Sequence, residues 1–173
     1  MKFKIGDDEF EVRLATLQEL ENWWDAKIEK KPDNPAYKIW KQNFVEGNKN
    51  GERKTFFVFN DKGYVGQGTL LLKSDDNDMT AQDKAEVIKL EINSEYRGKS
   101  IATKIYEEIE HFAKDNGIRT LTIGVEPCEV KNIQIYFHWG FVNYIKCITE
   151  QFPPTTPGGE GEVITVLCYS KNI

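Results

Sequence analysis

Apolar residues near the N-terminus follow first the two-residue period of strands and then the longer period of a helix. Phe3–Ile5 and Phe10–Leu14 are predicted strands joined by a Gly-Asp-Asp turn. Thr16 and Glu19 form a capping-box pattern, so a helix is predicted to start there and to end at Pro32. The chain is therefore predicted to open with a hairpin followed by a helix.

A second helix and a second hairpin are predicted next. Asn34 and Pro35 have the residue types of a helix start, and Gly47 is predicted to end this helix. Thr55–Phe59 and Tyr64–Leu72 are predicted strands on either side of an Asn-Asp-Lys-Gly turn. Two helices thus separate the two hairpins.

In the rest of the chain strands alternate with helices. The predicted elements are a strand at Val87–Ile92, a helix at Ser100–Asn116, a strand at Leu121–Val125, a helix at Glu129–Trp139, and strands at Phe141–Glu150 and Val163–Tyr169. The first two of these strands are expected to be parallel across a βαβ crossover. We predict one α/β domain spanning residues 1–173, classed as α+β in some schemes. It has about seven strands in a mixed central sheet and about four helices, in the order β-α-α-β-β-β-α-β-α-β-β.

Composition and charge limit the classes of binding partner that we expect for this chain. The chain has 173 residues and a formal net charge of −5. An acidic chain disfavours general nucleic-acid binding and suits a cationic substrate such as an amine, although a need for solubility explains the charge equally well. No apolar run is long enough to span a membrane, and the N-terminus lacks a secretory signal. Three cysteines without a C-x-x-C pattern predict reduced thiols and no metal site. We therefore predict a cytoplasmic protein without nucleic-acid or membrane partners.

The segment Leu90–Thr103, LEINSEYRGKSIAT, carries the strongest chemical signal. A short strand ends in a polar turn, and an Arg-Gly-Lys-Ser run leads directly into an amphipathic helix. Free backbone N–H groups and the helix N-terminus would meet at one point, which suits a pyrophosphate. An ordinary strand–turn–helix capped by the Ser100 hydroxyl would give the same pattern.

This segment resembles the acetyl-CoA-binding motif of the GNAT superfamily of N-acetyltransferases, Gln/Arg-x-x-Gly-x-Gly/Ala. Arg97 and Ala102 match the motif, whereas Ser100 stands where glycine is usual. A serine lets a phosphate approach the backbone only if its φ is negative and its side chain points away. The resemblance implies acetyl-CoA as co-substrate, without a metal, bound by Ile92, Arg97, Gly98, Lys99, Ser100, Ile101, Ala102 and Thr103.

The resemblance also implies two catalytic residues. The run from Tyr136 to Phe141 is similar to the Tyr-x-x-x-Gly-Phe that closes the last helix of GNAT domains, which makes Tyr136 the acid for the leaving thiolate. A core aromatic is the alternative role for it. Glu86 matches by position the glutamate base of the histone-acetylating branch. We expect it to share an apolar strand face with Ile92, which would raise its pKa, while Glu91 faces the other way.

For the base, Glu91, a water chain, and an exposed Glu86 without a role remain alternatives. The implied activity is direct acetyl transfer from acetyl-CoA to a primary amine in a ternary complex. We favour a small-molecule amine, with a protein or peptide amine, or a non-catalytic CoA-binding domain, as alternatives. In the family the acceptor cleft lies between the first two helices and the loop before the last strand, here Trp23–Phe44 and Phe152–Glu162. A homodimer is a further expectation from the resemblance, with Val163–Tyr169 pairing within the sheet or across two chains.

Overall fold

The computed structural model describes all 173 residues, with eight strands and four α-helices. The elements are β1 (Lys2–Ile5), β2 (Asp8–Leu14), α1 (Leu17–Lys30), α2 (Ala36–Lys49), β3 (Arg53–Asn60), β4 (Gly63–Leu71), β5 (Lys84–Ile92), a 3₁₀ turn (Ser94–Tyr96), α3 (Ile101–Asp115), β6 (Thr120–Val125), α4 (Val130–His138), β7 (Asn143–Gln151) and β8 (Val163–Asn172). The predicted fold class and element order are confirmed. The sheet has one strand more than the predicted seven because both N-terminal strands join it.

All eight strands belong to one sheet in the order β1-β2-β3-β4-β5-β6-β8-β7. Only β5 and β6 pair in parallel, as expected for the two strands that α3 connects, and the other neighbours are antiparallel. The last strand, β8, lies inside the sheet between β6 and β7, so β7 forms the edge. No helix is both long and apolar enough to span a membrane.

Helix α1 begins with the predicted cap, whereas α2 ends later than predicted. Thr16 and Glu19 form the predicted capping box, and Glu19 also accepts hydrogen bonds from Arg13. The predicted end of α2 at Gly47 is wrong, because the helix continues to Lys49. Gly47 is buried against the Arg53 side chain, where a Cβ would lie 2.8 Å from Cδ of that arginine. Gly47 is therefore a packing position, and the left-handed Gly51 follows the actual end of the helix.

Helix α3 packs on one face of the sheet and forms the main core there. Ile101, Ile105 and Ile109 on α3 are fully buried against apolar residues of the central strands. Gly68 on β4 allows this close contact: a Cβ at that position would lie 2.7 Å from Ile105 Cγ2 and 2.8 Å from Leu90 Cδ1. The opposite face carries α1 and α2, with Trp24 and other aromatic side chains packed between them and the sheet.

Replacing Gly68 with alanine should destabilise the protein. The added methyl group would overlap core side chains of α3, and overpacking of this kind costs roughly 1–3 kcal/mol. Urea denaturation should show a lower midpoint with an unchanged slope. Glu107→Ala on the exposed surface of α3 serves as the control and should shift stability by no more than about 0.5 kcal/mol. Equal stability of the Gly68 variant and the control would contradict this packing argument.

Candidate active site

The two parallel strands at the centre of the sheet separate before they end. Their paired residues run from Lys84 with Thr120 to Val87 with Ile123, and no pairs follow. Strand β5 nevertheless continues to Ile92. A gap therefore opens between β5 and β6 at the carboxyl ends of both strands, which is where α/β folds commonly place their ligands.

A β-bulge in β5 accompanies this separation. Gln67 pairs with Glu91 and Thr69 with Ile88, so β5 has one residue more than β4 across this interval. Within the bulge Lys89 has φ +55°, a left-handed conformation that is uncommon for residues other than glycine. Bulges bend a strand and increase its twist, which explains why β5 leaves β6 at this point.

The bulge also reverses which side chains face which side of the sheet. Leu90 and Ile92 pack on the core around α3, whereas Glu86 precedes the bulge and lies on the face of α1 and α2. The prediction that Glu86 shares a face with Ile92 is therefore wrong. Glu91 was expected to face away from Glu86, and this too is wrong, because Glu91 bonds to Lys27 of α1 on the same face as Glu86.

The backbone of Ile92 faces the gap. The N–H of Asn93 donates to Val65 O on β4 at 2.9 Å. Since successive residues of a strand direct their N–H and C=O groups to opposite neighbours, those of Ile92 point away from β4. Its carbonyl oxygen accepts a hydrogen bond of 3.1 Å from Arg97 Nε, which ties the following loop to the edge of the gap.

The loop from Arg97 to the start of α3 presents unpaired backbone donors. Gly98 and Ser100 have φ of +75° and +57°, and the first bond of the helix ladder is Lys104 N–H to Ser100 O at 3.3 Å. The N–H groups of the first helical turn, from Ile101 to Thr103, thus lack partners within the helix, and no side chain caps them. A helix N-terminus with free donors and without acidic residues in its first turn favours an anion.

The conformation of Ser100 fits neither of the two sequence interpretations, which were a serine with negative φ beside a phosphate and a serine whose hydroxyl caps the helix. Its φ is positive, so the condition of a negative φ is not met, and its hydroxyl does not cap α3. The serine instead takes a left-handed conformation, which glycine adopts more easily, at a cost on the order of 1 kcal/mol.

Glu86 is largely buried on the face of the sheet that carries α1 and α2. It pairs across β5 and β6 with Thr122, and its Oε1 lies 3.8 Å from the position that a Cβ would take at Gly124. Burial raises its pKa to about 7, and the negative charges of Glu150 and Asp76 act in the same direction. Arg53 opposes the shift only in part. A carboxyl group with a pKa near neutrality can exchange a proton at physiological pH.

Glu91 lies on the same face in a different electrostatic setting. Its two oxygens lie 3.0 and 3.2 Å from Lys27 Nζ, and Gln67 donates to it at 3.4 Å. Both oxygens of Glu91 are thus engaged by Lys27, whereas no ion pair involves Glu86.

Tyr136 belongs to α4 and lies over the same core as α3. Its ring packs near Trp139 and Phe141, with centroids 5.7 and 6.5 Å away. Burial raises its pKa to about 12, and the charge of Glu129 contributes. The hydroxyl is therefore protonated at neutral pH.

The predicted walls of an acceptor cleft meet at an aromatic contact. Trp40 of α2 packs edge-on against Phe152, which follows β7, with ring centroids 6.5 Å apart. Tyr37 extends this contact along α2, at 5.7 Å from Trp40. The ammonium of Lys89 lies 5.7 Å from the Trp40 centroid. Sequence analysis did not identify Lys89, because a lysine within a strand carries no local signal of a bulge.

Metal ligation finds no support in the side-chain arrangement. No group of three or more His, Cys, Asp or Glu side chains is placed to hold a metal ion. The three cysteines are all free thiols, and Cys168 is buried.

Residues 16–141 match the model of a known family, the acetyltransferase (GNAT) family. Because the match covers most of the chain, the chain belongs to the GNAT family and is an acetyltransferase. Among curated proteins, none matches it in sequence.

Solved structures share the fold at low sequence identity. An N-acetyltransferase from Staphylococcus aureus Mu50 is 16% identical, with 94% of this chain and 98% of that chain covered and a TM-score of 0.68. A ribosomal-protein-alanine N-acetyltransferase from Brucella melitensis is 15% identical, with coverages of 94% and 99% and a TM-score of 0.67. The yncA protein of Salmonella typhimurium, solved with its cofactor acetyl-CoA, is 11% identical, with coverages of 94% and 93% and a TM-score of 0.65.

Replacing Ser100 with glycine should stabilise the protein. Glycine adopts positive φ without strain, and the relief exceeds the extra entropy of the unfolded chain by roughly 0.5–1 kcal/mol. Thermal and urea unfolding measure the change. The neighbouring Lys99 does not have a positive φ, so Lys99→Gly is the matched control and should destabilise. Loss of stability in both variants would show that the left-handed conformation of Ser100 carries no strain.

Proposed function

We propose that this GNAT acetyltransferase moves the acetyl group of acetyl-CoA directly to the primary amine of a small molecule in a ternary complex. One observation carries the proposal. The gap between β5 and β6 opens at the same edge of the sheet as the unpaired N–H groups at the start of α3. One elongated ligand with an anionic part and a hydrogen-bonding arm fits both features.

The cofactor site in this proposal extends from the loop into the gap. The free N–H groups of Ile101, Ala102 and Thr103 would bind the pyrophosphate, assisted by the backbone of Gly98, Lys99 and Ser100 and the charge of Arg97. The gap-facing backbone of Ile92 would hydrogen-bond the pantetheine arm. Arg97 would then release the Ile92 carbonyl, which it now binds, and turn to the phosphates. The bound acetyl-CoA of the yncA protein supports this cofactor assignment.

Glu86 and Tyr136 would move the two protons of the reaction. An alkylammonium has a pKa of about 10 and must lose a proton before its nitrogen attacks the thioester carbon. Glu86 would accept this proton, because its pKa is about 7 and no ion pair holds it charged. As the C–S bond breaks, Tyr136 would protonate the thiolate, and the second proton of the attacking nitrogen would pass to the resulting tyrosinate as the amide forms. A backbone N–H near Ile92, at the edge of the gap, would stabilise the oxyanion.

A small-molecule acceptor is favoured by how the cleft is closed. The contact of Trp40 with Phe152 joins α2 to the segment after β7, and Phe152 N–H donates to Glu162 O at 2.7 Å, which closes the base of that segment. A protein substrate would need an open groove at this point. The ribosomal-protein-alanine acetyltransferase with a similar fold keeps a protein amine as the second candidate. A non-catalytic CoA-binding domain is the third, and the next experiment tests it.

Tyr136→Phe should lower kcat by roughly 10²–10⁴-fold while leaving acetyl-CoA binding intact, because only the donated proton is lost. Turnover should be measured over a panel of small amines and lysine-bearing peptides. Acetyl-CoA binding should be measured by thermal unfolding against ADP as control, since a ligand at a hundred times its Kd adds about 2.7 kcal/mol.

Phe137→Leu, at an exposed position on the same helix, provides a control for effects of altering α4. Unchanged turnover in Tyr136→Phe would remove this residue from the mechanism. Binding of acetyl-CoA without acetylation of any amine in the wild type would favour the non-catalytic alternative.

Glu86→Gln should remove the rise of kcat/KM with pH that is expected for the wild type. In the wild type kcat/KM should rise with pH through about 7 and then level off, as Glu86 loses its proton. Glu91→Gln is the matched control on the same face and should keep this inflection. Persistence of the inflection in Glu86→Gln would exclude Glu86 as the base.

The raised pKa of Glu86 should also make the stability of the folded protein depend on pH. Because folding raises the pKa of Glu86, the native state favours the protonated form, and this stabilisation is lost as pH rises from the unfolded pKa through about 7. The melting temperature of the wild type should therefore fall more between pH 5 and pH 8 than that of Glu86→Gln.

A further inference from the structure

Lys89 occupies a strained position next to the proposed reaction centre. Its φ of +55° would suit glycine or asparagine, yet the chain places a lysine there. Strained residues persist where the surrounding structure holds them, and they concentrate at functional sites. In this case the bulge directs the side chain onto the face of α2, towards Trp40.

The ammonium of Lys89 has no carboxylate partner. Glu91, the acidic group that acts on it, is already bound by Lys27 at 3.0 Å. Burial lowers the pKa of Lys89 and the charge of Lys27 lowers it further, although the residue as a whole remains exposed. The ammonium lies 5.7 Å from the centroid of the Trp40 ring, at the aromatic wall of the predicted acceptor cleft. This wall is therefore bordered by a cation without a counter-ion.

Acidic side chains lie near the other end of this part of β5. The charges of Glu150 and Asp76 act on Glu86, and Asp76 is itself bound by Lys146 at 2.7 Å. Glu86 and Lys89 are three residues apart on β5, which corresponds to at most about 10 Å along the strand, and the bulge shortens this span. A small amino carboxylic acid, with one water molecule between its amine and the base, is of a length that suits this spacing.

The remaining wall of the cleft is apolar. Tyr37, Trp40 and Phe152 form a continuous series of aromatic contacts that borders the Lys89 ammonium. An acceptor that fits this cleft has an amine for the acidic end, an anionic group for Lys89 and an apolar body for the aromatic rings.

We propose that Lys89 is a specificity residue that binds the carboxylate of the acceptor, so that the substrates are amino carboxylic acids with apolar or aromatic side chains. The inference rests on the proposed function, since it assigns the acceptor of the same site. It also accounts for the unpaired cation, because a substrate carboxylate supplies the missing counter-ion when it binds.

The test compares matched acceptors that differ only in the carboxylate. Suitable pairs are alanine with ethylamine, leucine with 3-methylbutylamine, phenylalanine with phenethylamine, and tryptophan with tryptamine. In the wild type kcat/KM should be higher for the amino acid of at least one pair. In Lys89→Met the ratio of kcat/KM for amino acid over amine should fall roughly 10- to 100-fold, mainly through KM, as expected for loss of a charged hydrogen bond. Lys89→Arg keeps the charge and should retain part of the preference.

A binding measurement keeps the test independent of turnover. With CoA present, each N-acetylated amino acid should raise the melting temperature of the wild type more than the matching N-acetylated amine, and Lys89→Met should lose this difference. An acetyl-CoA-induced shift in every variant shows that the cofactor site is intact.

The outcomes separate the two proposals. No acetylation of any acceptor, with a Lys89-dependent carboxylate effect on binding, would contradict the proposed function and support this inference. Acetylation of amines without a preference for the carboxylate, or an equal loss for both members of each pair in Lys89→Met, would overturn the inference alone. The absence of any carboxylate-dependent difference in both turnover and binding would also overturn it.

Discussion

The site depends on the β-bulge at Lys89. By adding one residue to β5 opposite β4, it separates β5 from β6 after Val87 and Ile123 and so creates the gap. It also places Glu91 on the polar face and Leu90 in the core. A regular strand would point Glu91 into the apolar core around α3, where an unpaired carboxylate would cost several kcal/mol. Within a strand of nine residues, the bulge thus keeps an acidic side chain out of the core, leaves the core apolar and opens a gap between β5 and β6.

The two faces of the sheet differ in packing and in polarity. The α3 face is a closely packed core in which even one methyl group at Gly68 would not fit. A rigid core of this kind holds the loop and the first turn of α3 in the conformation that leaves their N–H groups free. The α1 and α2 face is more polar, and it buries three side-chain polar atoms without a hydrogen-bond partner, Trp24 Nε1, Tyr64 Oη and Gln67 Oε1. Unsatisfied groups of this kind are costly and are most often found close to functional sites.

Glu86 and Glu91 show how one strand face can give two carboxyl groups different chemistry. Glu91 forms an ion pair with Lys27 and so joins β5 to α1. Glu86 is buried near further negative charge, and both factors raise its pKa towards neutrality. In the proposed acceptor site, the unpaired Lys89 would add a positive charge on the same strand, so the site would suit an acceptor that carries both charges.

The sequence by itself determined the element order, the capping box at Thr16 and the loop motif from Arg97 to Ala102, since these features follow from local periodicity and from adjacent residues. It also pointed to the acetyltransferase family, which the family match over residues 16–141 confirmed. The roles of Glu86 and Tyr136 were predicted by position and remain proposals.

Only the tertiary structure decided which side chains share a face in β5. Strand periodicity assumes that alternate residues point to the same side, and one extra residue reverses this assignment for all that follow. The bulge is set by pairing with β4, which lies some twenty residues earlier in the chain and leaves no local trace. The positive φ of Ser100 and the packing of Gly47 on the Arg53 side chain were also visible only in the structure, because residue type alone predicts neither of them.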